Sequence, residues 1–583
     1  MLESSQYLDV FTRRVRPLLE KVYPEENIEQ LIATLFTAIA PYCSQSVEEN
    51  INKWSEDTVI LITYGDSIIN HSNSEKPLIT LNRFLKEYLN EAIAGIHILP
   101  FYPYSSDDGF SVIDYFAVNS ELGTWEDISQ ISENFELMFD LILNHISSES
   151  EWFQQFKQGK EPGCNYFITA DPETDISQVV RPRTNPLLMK VETTVGEKHV
   201  WATFSHDQID VNFANPDVLL EFIKIILYYI KAKAKYLRLD AVAYLWKQLD
   251  TPCIHLFQTH ALIRVLREVV QMIDPNIALL TETNVPNREN LSYFGNRNEA
   301  HMIYNFSLPP LVLHALLQGK SDYLKTWMMS MPPAPLGCAY FNFLSSHDGI
   351  GLRPAEGLLS NDEFQGVVDT IKKFGGEIGY RTKPDGSQGP YEANITYFDA
   401  LKGTIAGEDE WQIQRFICAH TMMMSLEGIP AFYIHSLLAT PNDYEGMKRT
   451  GRRRSINRHR WDEAQLKELL ADSNSNHAIV LRELSRLIQI RRKQQAFHPN
   501  ATQYTLHPLN KALFVFWRQS MARDQSIFSI HNLSDRQQIL ELSTLNLVLI
   551  DPWHDLISGK TIRDISEEFI LEPYQSAWIT NKF

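Results

Sequence analysis

Four short runs in this 583-residue chain close an apolar stretch on side chains that can move protons or hold charge. They are Asp140-Leu-Ile-Leu-Asn144-His145, Arg238-Leu239-Asp240-Ala241, Thr281-Glu282-Thr283-Asn284 and Ser345-Ser346-His347-Asp348. A single strand-ending acid is more often a helix cap or a loop anchor. Successive runs of this kind point instead to one shared site, and the chemistry that fits them is cleavage of a glycosidic bond. That reaction needs one carboxylate at the anomeric carbon and one carboxylic acid at the leaving oxygen. Asp240 and Glu282 suit the pair. Arg238 sits two residues before Asp240 on the same face of a strand and is expected to hold that carboxylate ionised through charge-assisted hydrogen bonds, which makes Asp240 the nucleophile. Glu282, near the negative charge of Asp240 and Asp348, is expected to keep its proton close to neutrality and to act as acid/base. His145 and His347 offer donors to sugar hydroxyls, and Asp348 can accept from two hydroxyls as positive charge develops on the ring. The rival reading of either histidine alone is a satisfied packing residue.

Such residues need a scaffold that delivers strand ends to one place. Apolar runs recur at Val59–Thr63, Ile96–Phe101, Leu137–Leu143, Tyr236–Asp240, Ile277–Glu282, Met302–Phe306, Phe341–Ser345 and Ile429–Ile434, mostly with helix-like segments between them. Parallel strands covered on both faces read as continuous apolar runs, so the pattern predicts an α/β fold, a (β/α)8 barrel with its reactive groups at the C-terminal strand ends. The catalytic barrel is expected over 56–150 and 216–348, with its end at 428–500. Residues 151–215, rich in Pro, Gly and polar residues, read as an insertion after the third strand, and 349–427 as an active-site loop and insertion region, including a Gly/Pro-rich loop from Gly375 to Tyr391. Loops of that length in a compact enzyme are usually functional. Residues 1–55 read as an amphipathic helical extension, with Leu8, Val10, Phe11, Val15, Leu18 and Leu19 at helical spacing. Residues 501–583 read as a small antiparallel β domain with strands at Ala512–Trp517, Ser526–His531, Ile539–Leu542, Asn546–Ile550 and Tyr574–Ile579.

Composition narrows the partners. Acidic residues outnumber basic ones 72 to 53, a formal charge of −19, which repels a nucleic-acid backbone or an anionic membrane on average. The start lacks the charged and apolar regions of a signal peptide and no run is long enough to span a bilayer, so a cytoplasmic location is expected. Cys43, Cys164, Cys253, Cys338 and Cys418 are odd in number and never form a C-x-x-C pair, and they read as reduced thiols. The basic run Lys448, Arg449, Arg452, Arg453, Arg454, Arg458 and Arg460 has a solvated loop as its bland reading; in so acidic a chain it also has an electrostatic use toward phosphate or an anionic acceptor.

The four strand-end runs resemble, in order, the four signature regions of the α-amylase superfamily, glycoside hydrolase family 13. That resemblance implies a β-glucosyl enzyme on Asp240, a general acid/base in Glu282 and transition-state stabilisation by Asp348. Further segments are similar to the sucrose phosphorylase subfamily: Ser105-Ser-Asp-Asp-Gly-Phe-Ser-Val-Ile-Asp-Tyr115, Leu122-Gly-Thr-Trp-Glu-Asp127, Arg181-Pro-Arg183, Gln208-Ile-Asp-Val-Asn212, Pro390-Tyr-Glu-Ala-Asn394 and Arg454-Ser-Ile-Asn-Arg458. The likeness runs from about Val59 through Trp461 and implies a retaining α-glucoside phosphorylase that releases α-glucose 1-phosphate, with inorganic phosphate as co-substrate and no cofactor. Residue by residue it implies that Asp107 and Arg454 clamp the 4-hydroxyl of one glucosyl unit, that Phe110, His145, Arg238 and His347 contact it, and that Arg183 takes phosphate beside Tyr391. Glu392 stands where sucrose phosphorylases usually have Gln. With Gly351-Leu-Arg-Pro-Ala-Glu-Gly-Leu358 and Thr281-Glu-Thr-Asn-Val-Pro286 it brings the chain closer to the glucosylglycerate and glucosylglycerol phosphorylase branch. There Arg353 is a candidate partner for a glycerate carboxylate, with an ordinary loop salt bridge as the equal alternative. Asn144 matches a position that often ligates calcium in amylases; one ligand does not make a site, and no metal is expected. The partners implied are a small glucoside, phosphate and an acceptor alcohol, acting on a monomer or homodimer, with sucrose as alternative donor and an α-glucosidase or transglucosidase as the alternative activity.

Overall fold

The structure, a computed structural model, describes residues 4–44, 50–382, 387–545, 547–548, 552–564, 566 and 568–582. All eight apolar runs form strands of one closed parallel barrel: β1 (Ile60–Thr63), β2 (Gly95–Ile98), β3 (Glu136–Ile142), β4 (Ala234–Asp240), β5 (Ala278–Thr281), β6 (Met302–Tyr304), β7 (Ala339–Asn342) and β8 (Ile429–Tyr433). Each pairs with its neighbours in sequence, and β1 pairs with β8. The register matters most between β3, β4 and β5. It sets Asp140 beside Arg238 and Ile142 beside Asp240, and the Glu282 amide donates to Leu239 O at 3.1 Å. The second-strand, third-strand and fourth-strand runs are buried almost throughout, as a sheet covered on both faces requires.

The amino-terminal extension is a helical hairpin, α1 (Ser4–Val22) and α2 (Ile28–Ile39), with 45–49 outside the described residues. Phe11, Val15 and Leu19, four residues apart, are fully buried, whereas Leu8, Val10 and Leu18 are partly covered. The hairpin packs on the helices that flank β4, α3 (Pro216–Lys231) and α4 (Phe257–Ile273), and Arg14 pairs with Glu268 at 3.0 Å. At the tip of α1 the Tyr23 hydroxyl donates to Phe213 O at 2.9 Å, and its ring meets Trp246 edge-on, with centroids 6.3 Å apart.

The segment after β3 carries the helix Glu151–Gln158 and a hairpin of Leu188–Thr193 with Gly196–Trp201; its last strand, Gln208–Asp210, pairs with His145–Ser147. The Gly375–Tyr391 stretch differs from its reading as a loop. Glu377–Thr382 and Gln388–Asn394 form antiparallel strands, and Ile350–Gly351 pairs with the latter; 383–386 lie outside the described residues. These strands, Glu-Ile-Gly-Tyr-Arg-Thr and Gln-Gly-Pro-Tyr-Glu-Ala-Asn, mix Gly, Pro and polar residues with few apolar ones, so no apolar run marks them. At the carboxyl end, strands including Leu513–Gln519, Ser526–Asn532 and Ser576–Thr580 build a six-stranded antiparallel sheet with its own apolar core, and Gln538–Glu541 pairs with Glu568–Leu571. Of the expected strand Asn546–Ile550, Leu547 and Val548 are not strand and the remainder lies outside the described residues.

Truncating Phe11 to alanine removes a fully buried ring at the α1 interface and is expected to cost about 3–5 kcal/mol, whereas exposed Asp9→Ala should stay within about 0.5 kcal/mol. Thermal unfolding of the two variants checks this; equal melting points would mean the hairpin adds nothing to the barrel.

Candidate active site

The strand ends converge on a narrow cavity of about 70 Å3, in which Asp240, Glu282 and Asp348 face Asp107, Phe110, His145, Arg183, His347, Tyr391 and Arg454. It opens into a wider vestibule of about 900 Å3 that shares Asp107, Arg183, Tyr391 and Arg454 and adds Glu392.

Arg238 organises the floor. It is 2 % exposed, and its Nη1 donates to both Asp140 Oδ1 and Asp240 Oδ1, the latter at 2.7 Å. Its guanidinium lies between the rings of Phe110 and Tyr304, 5.6 Å from each centroid. His97 Nε2 meets the other Asp140 oxygen at 2.7 Å. Arg238 therefore stands behind Asp240 and orients it; it does not line the cavity, which corrects its placement among the sugar contacts.

The two central carboxyl groups differ in their partners. Asp240 has direct contact with a cation, whereas among the described residues Glu282 accepts only the Ala241 amide, at 3.2 Å. Burial raises Glu282 first of all; Arg238 opposes this, and the charges of Asp240 and Asp348 add to it, so that the group titrates at about 7. Burial also raises Asp240, against the pull of Arg238 and His145. The expectation that Arg238 holds Asp240 ionised leaves out desolvation, the larger effect, which takes this carboxyl above its ordinary range. Burial works against ionisation of Asp348 as well, but Arg454, Arg458, Arg238 and Arg183 outweigh it and keep this carboxyl below its ordinary range. Ala241 takes the left-handed conformation, φ 51°, and this turn aims its amide at Glu282.

The histidines are neutral. Burial pushes His347 far down, with Arg458 and Arg238 assisting, and its ring stacks on Phe110 at 4.8 Å. Burial lowers His145 too; its Nε2 lies 3.1 Å from Phe110 O and from Gln208 Nε2.

Arg454 and Asp107 share the cavity, but Arg454 engages Glu392 through Nε and Nη2 at 3.0 and 2.6 Å and Asp348 through Nη1 at 2.5 Å. The cation nearest Asp107 is Arg458, at 3.9 Å, which also binds Asp108 at 2.5 Å. Arg353 lies outside the cavity wall, 3.8 Å from Glu289, so the loop-salt-bridge reading describes it better than a glycerate contact. Arg183 stands over the Tyr391 ring at 5.7 Å, and Tyr391 O accepts the Leu352 amide at 2.9 Å.

Several participants have no role assigned from the sequence, although Gln208, Asn284 and Arg458 lie in motifs quoted there. Gln208, Phe204, Tyr244 and Asn284 also line the cavity. Arg458 and Asn457 hold the loop of Asp348: Arg458 Nε donates to His347 O at 2.8 Å, and Asn457 donates to Ser346 O and Asp348 O at 2.6 and 2.8 Å. The four-residue spacing of Arg454 and Arg458 is the sequence signal that could have joined them. Lys247 gives no such signal. Its ammonium, 4 % exposed, bonds Asn144 Oδ1 at 2.5 Å, Asp210 Oδ2 at 2.7 Å and Tyr244 O, so a lysine holds the segment where a metal was considered. Among the described residues no group of three or more His, Cys, Asp or Glu is disposed to hold a metal ion.

Comparison with known proteins places this geometry. Residues 85–349 match the α-amylase catalytic domain family. The chain is 43% identical to glucosylglycerate phosphorylase of Allomeiothermus silvanus, covering 90% of this chain and 91% of that protein. It is 40% identical to glucosylglycerate phosphorylase of Escherichia coli, covering 97% of this chain and all of that protein. The crystal structure of sucrose 6F-phosphate phosphorylase from Thermoanaerobacter thermosaccharolyticum superposes with TM-score 0.71 at 28% identity, covering 89% of this chain and 98% of that one.

Removing the Lys247 ammonium leaves the buried Asp210 carboxylate unpaired, so Lys247→Met should destabilise the chain by about 3–5 kcal/mol. The double variant Lys247→Met with Asp210→Asn should recover part of that loss. Chemical denaturation of both would show it; no recovery in the double variant would mean that lost packing, not the stranded charge, is responsible.

Proposed function

The chain belongs to the α-amylase family, in the branch of its glucosylglycerate phosphorylase relatives, and from that premise we propose that it is a retaining phosphorylase exchanging a glucosyl group between glycerate and phosphate. The observation that carries this reading is the presence of Asp240, Glu282, Asp348 and Arg183 on the walls of one cavity. The carboxyl groups supply glycosyl transfer, and the arginine supplies a fork for a phosphate dianion.

In the first step an Asp240 oxygen attacks the anomeric carbon as the bond to the leaving oxygen breaks, and Glu282 gives its proton to that oxygen, releasing glycerate. A phosphate oxygen, held by Arg183 beside Tyr391, then attacks the same carbon. Glu282 recovers a proton from the phosphate, and the ester bond to Asp240 breaks. Two inversions give retention, and the product is α-glucose 1-phosphate. The difference between the carboxyl groups supports these roles: Asp240 has the direct cation contact, while Glu282 titrates at about 7. Asp348, held anionic by arginines, is suited to hydroxyls that gain acidity as the ring becomes oxocarbenium-like. Among the described residues the cysteines form no disulfide, which suits a reducing compartment, and we place the reaction in the cytoplasm.

Incubation with glucosylglycerate should release glucose 1-phosphate only when phosphate is added, and glucose released equally without phosphate would identify a hydrolase instead. Asp240→Ala and Glu282→Ala should each lose nearly all turnover, on the order of 10³-fold or more for the acid/base. Arg183→Ala should chiefly raise the KM for phosphate, and an unchanged phosphate KM would remove that residue from the site. Because Glu282 must be protonated for the first step, kcat/KM for the glucoside should fall as pH rises through about 7, and Glu282→Gln should abolish that limb.

A further inference from the structure

The outer vestibule carries charge that the two-step mechanism does not use. Its wall includes Arg183, Lys448, Arg452, Arg453, Arg454 and Arg458 against Asp107, Asp207, Glu377 and Glu392. Most of these charges are engaged. Arg453 meets Glu377 at 3.0 Å, Arg454 is forked on Glu392, and Arg458 is held by Asp108 and Asp107. Asp207 is surrounded by hydroxyls, accepting from Ser105 and Ser148 at 2.6 Å and Ser111 at 2.9 Å, so its negative charge is satisfied without a cation. Apart from Arg183, which the proposed mechanism already uses, Lys448 and Arg452 remain. Both are exposed, and neither makes an ion pair among the described residues.

Their placement is local design rather than average composition, since the whole chain carries −19. Lys448 lies in the last turn of the helix Tyr444–Thr450, and Gly451, at φ 67°, reverses the chain so that Arg452 follows on the same wall as the short helix Arg453–Asn457, which carries Arg454 and is followed by Arg458. The vestibule leads inward to Arg183, which lines both spaces. A concave, positively charged mouth on an acidic protein concentrates small anions and excludes extended polyanions.

The geometry points to an anion-docking site at Lys448 and Arg452 that receives a phosphate dianion, as inorganic phosphate or as the phosphate group of glucose 1-phosphate, before it passes to Arg183. This inference rests on the phosphorylase reading and adds a station to it. The site raises the rate of capture and leaves the chemical steps alone, because neither side chain lines the inner cavity.

The test is Lys448→Gln combined with Arg452→Gln in the full chain. At low ionic strength kcat/KM for phosphate and for glucose 1-phosphate should fall roughly tenfold, with kcat within about twofold, and the gap should close in half-molar salt. Phosphate-free hydrolysis of α-glucosyl fluoride, a neutral donor, should be unchanged. An equal loss with the fluoride, or no loss with the phosphate substrates, overturns the site. Should the unmodified chain release no glucose 1-phosphate at all, the phosphorylase reading fails first. Calorimetric titration with inorganic phosphate then decides the site by itself: weaker binding by the double variant supports it, and equal binding refutes it.

Discussion

A guanidinium buried in the barrel floor is the interaction on which the rest of this site depends. Arg238 cannot lose its proton, and a charge taken out of water persists only with well-placed opposite charge around it. Asp140 on the neighbouring strand and Asp240 two residues along its own strand provide that charge, while Phe110 and Tyr304 enclose the guanidinium. The barrel register makes the arrangement possible, since Asp140 faces Arg238 directly across the β3–β4 pair. One consequence is electrostatic. Of two carboxyl groups in a shared desolvated cavity, only Asp240 touches this cation; burial raises both, and Glu282, without that contact, is pushed up to about 7.

The site is also tied to parts of the chain far from it. Tyr23, at the tip of the amino-terminal hairpin, packs against Trp246; the next residue, Lys247, joins Asn144 at the end of β3, Asp210 in the segment after it and Tyr244 in the cavity wall. Asn144 Nδ2 lies 3.3 Å from His145 Nδ1, and His145 reaches the cavity. A continuous set of contacts thus runs from the extension to the glucosyl-binding wall. The lysine connects three segments in one step because an ammonium has three donors and each finds an oxygen.

The barrel was legible because burial on both faces leaves eight plain apolar runs, and the central acids were legible because each follows one of those runs. What escaped notice depends on pairing rather than on pattern. Arg454 reaches Glu392 across 62 residues and Lys247 reaches Asn144 across 103, separations that no local spacing encodes. The hairpin of Glu377–Thr382 and Gln388–Asn394 was hidden for a different reason: Ile378 and Ala393 are its buried apolar side chains and polar residues surround them, so backbone pairing defines its strands without an apolar run to mark them. Arg353 shows how residue type alone leaves two readings open, a carboxylate ligand or a loop salt bridge; the carboxylate beside it is Glu289, at 3.8 Å and outside the cavity.

Glu392 has a structural consequence of its own. A glutamine there would offer one acceptor oxygen, whereas the carboxylate takes both Nε and Nη2 of Arg454 and leaves Nη1 for Asp348. The arginine is therefore anchored by a residue other than the one expected to serve the sugar. In the proposed mechanism Asp348 turns its oxygens to two ring hydroxyls, and Arg454 has Glu392 to stay on as it does so. A site that must accept a glucosyl unit and then an anion at the same carbon benefits from such a fixed wall, because neither partner has to rebuild it for the other.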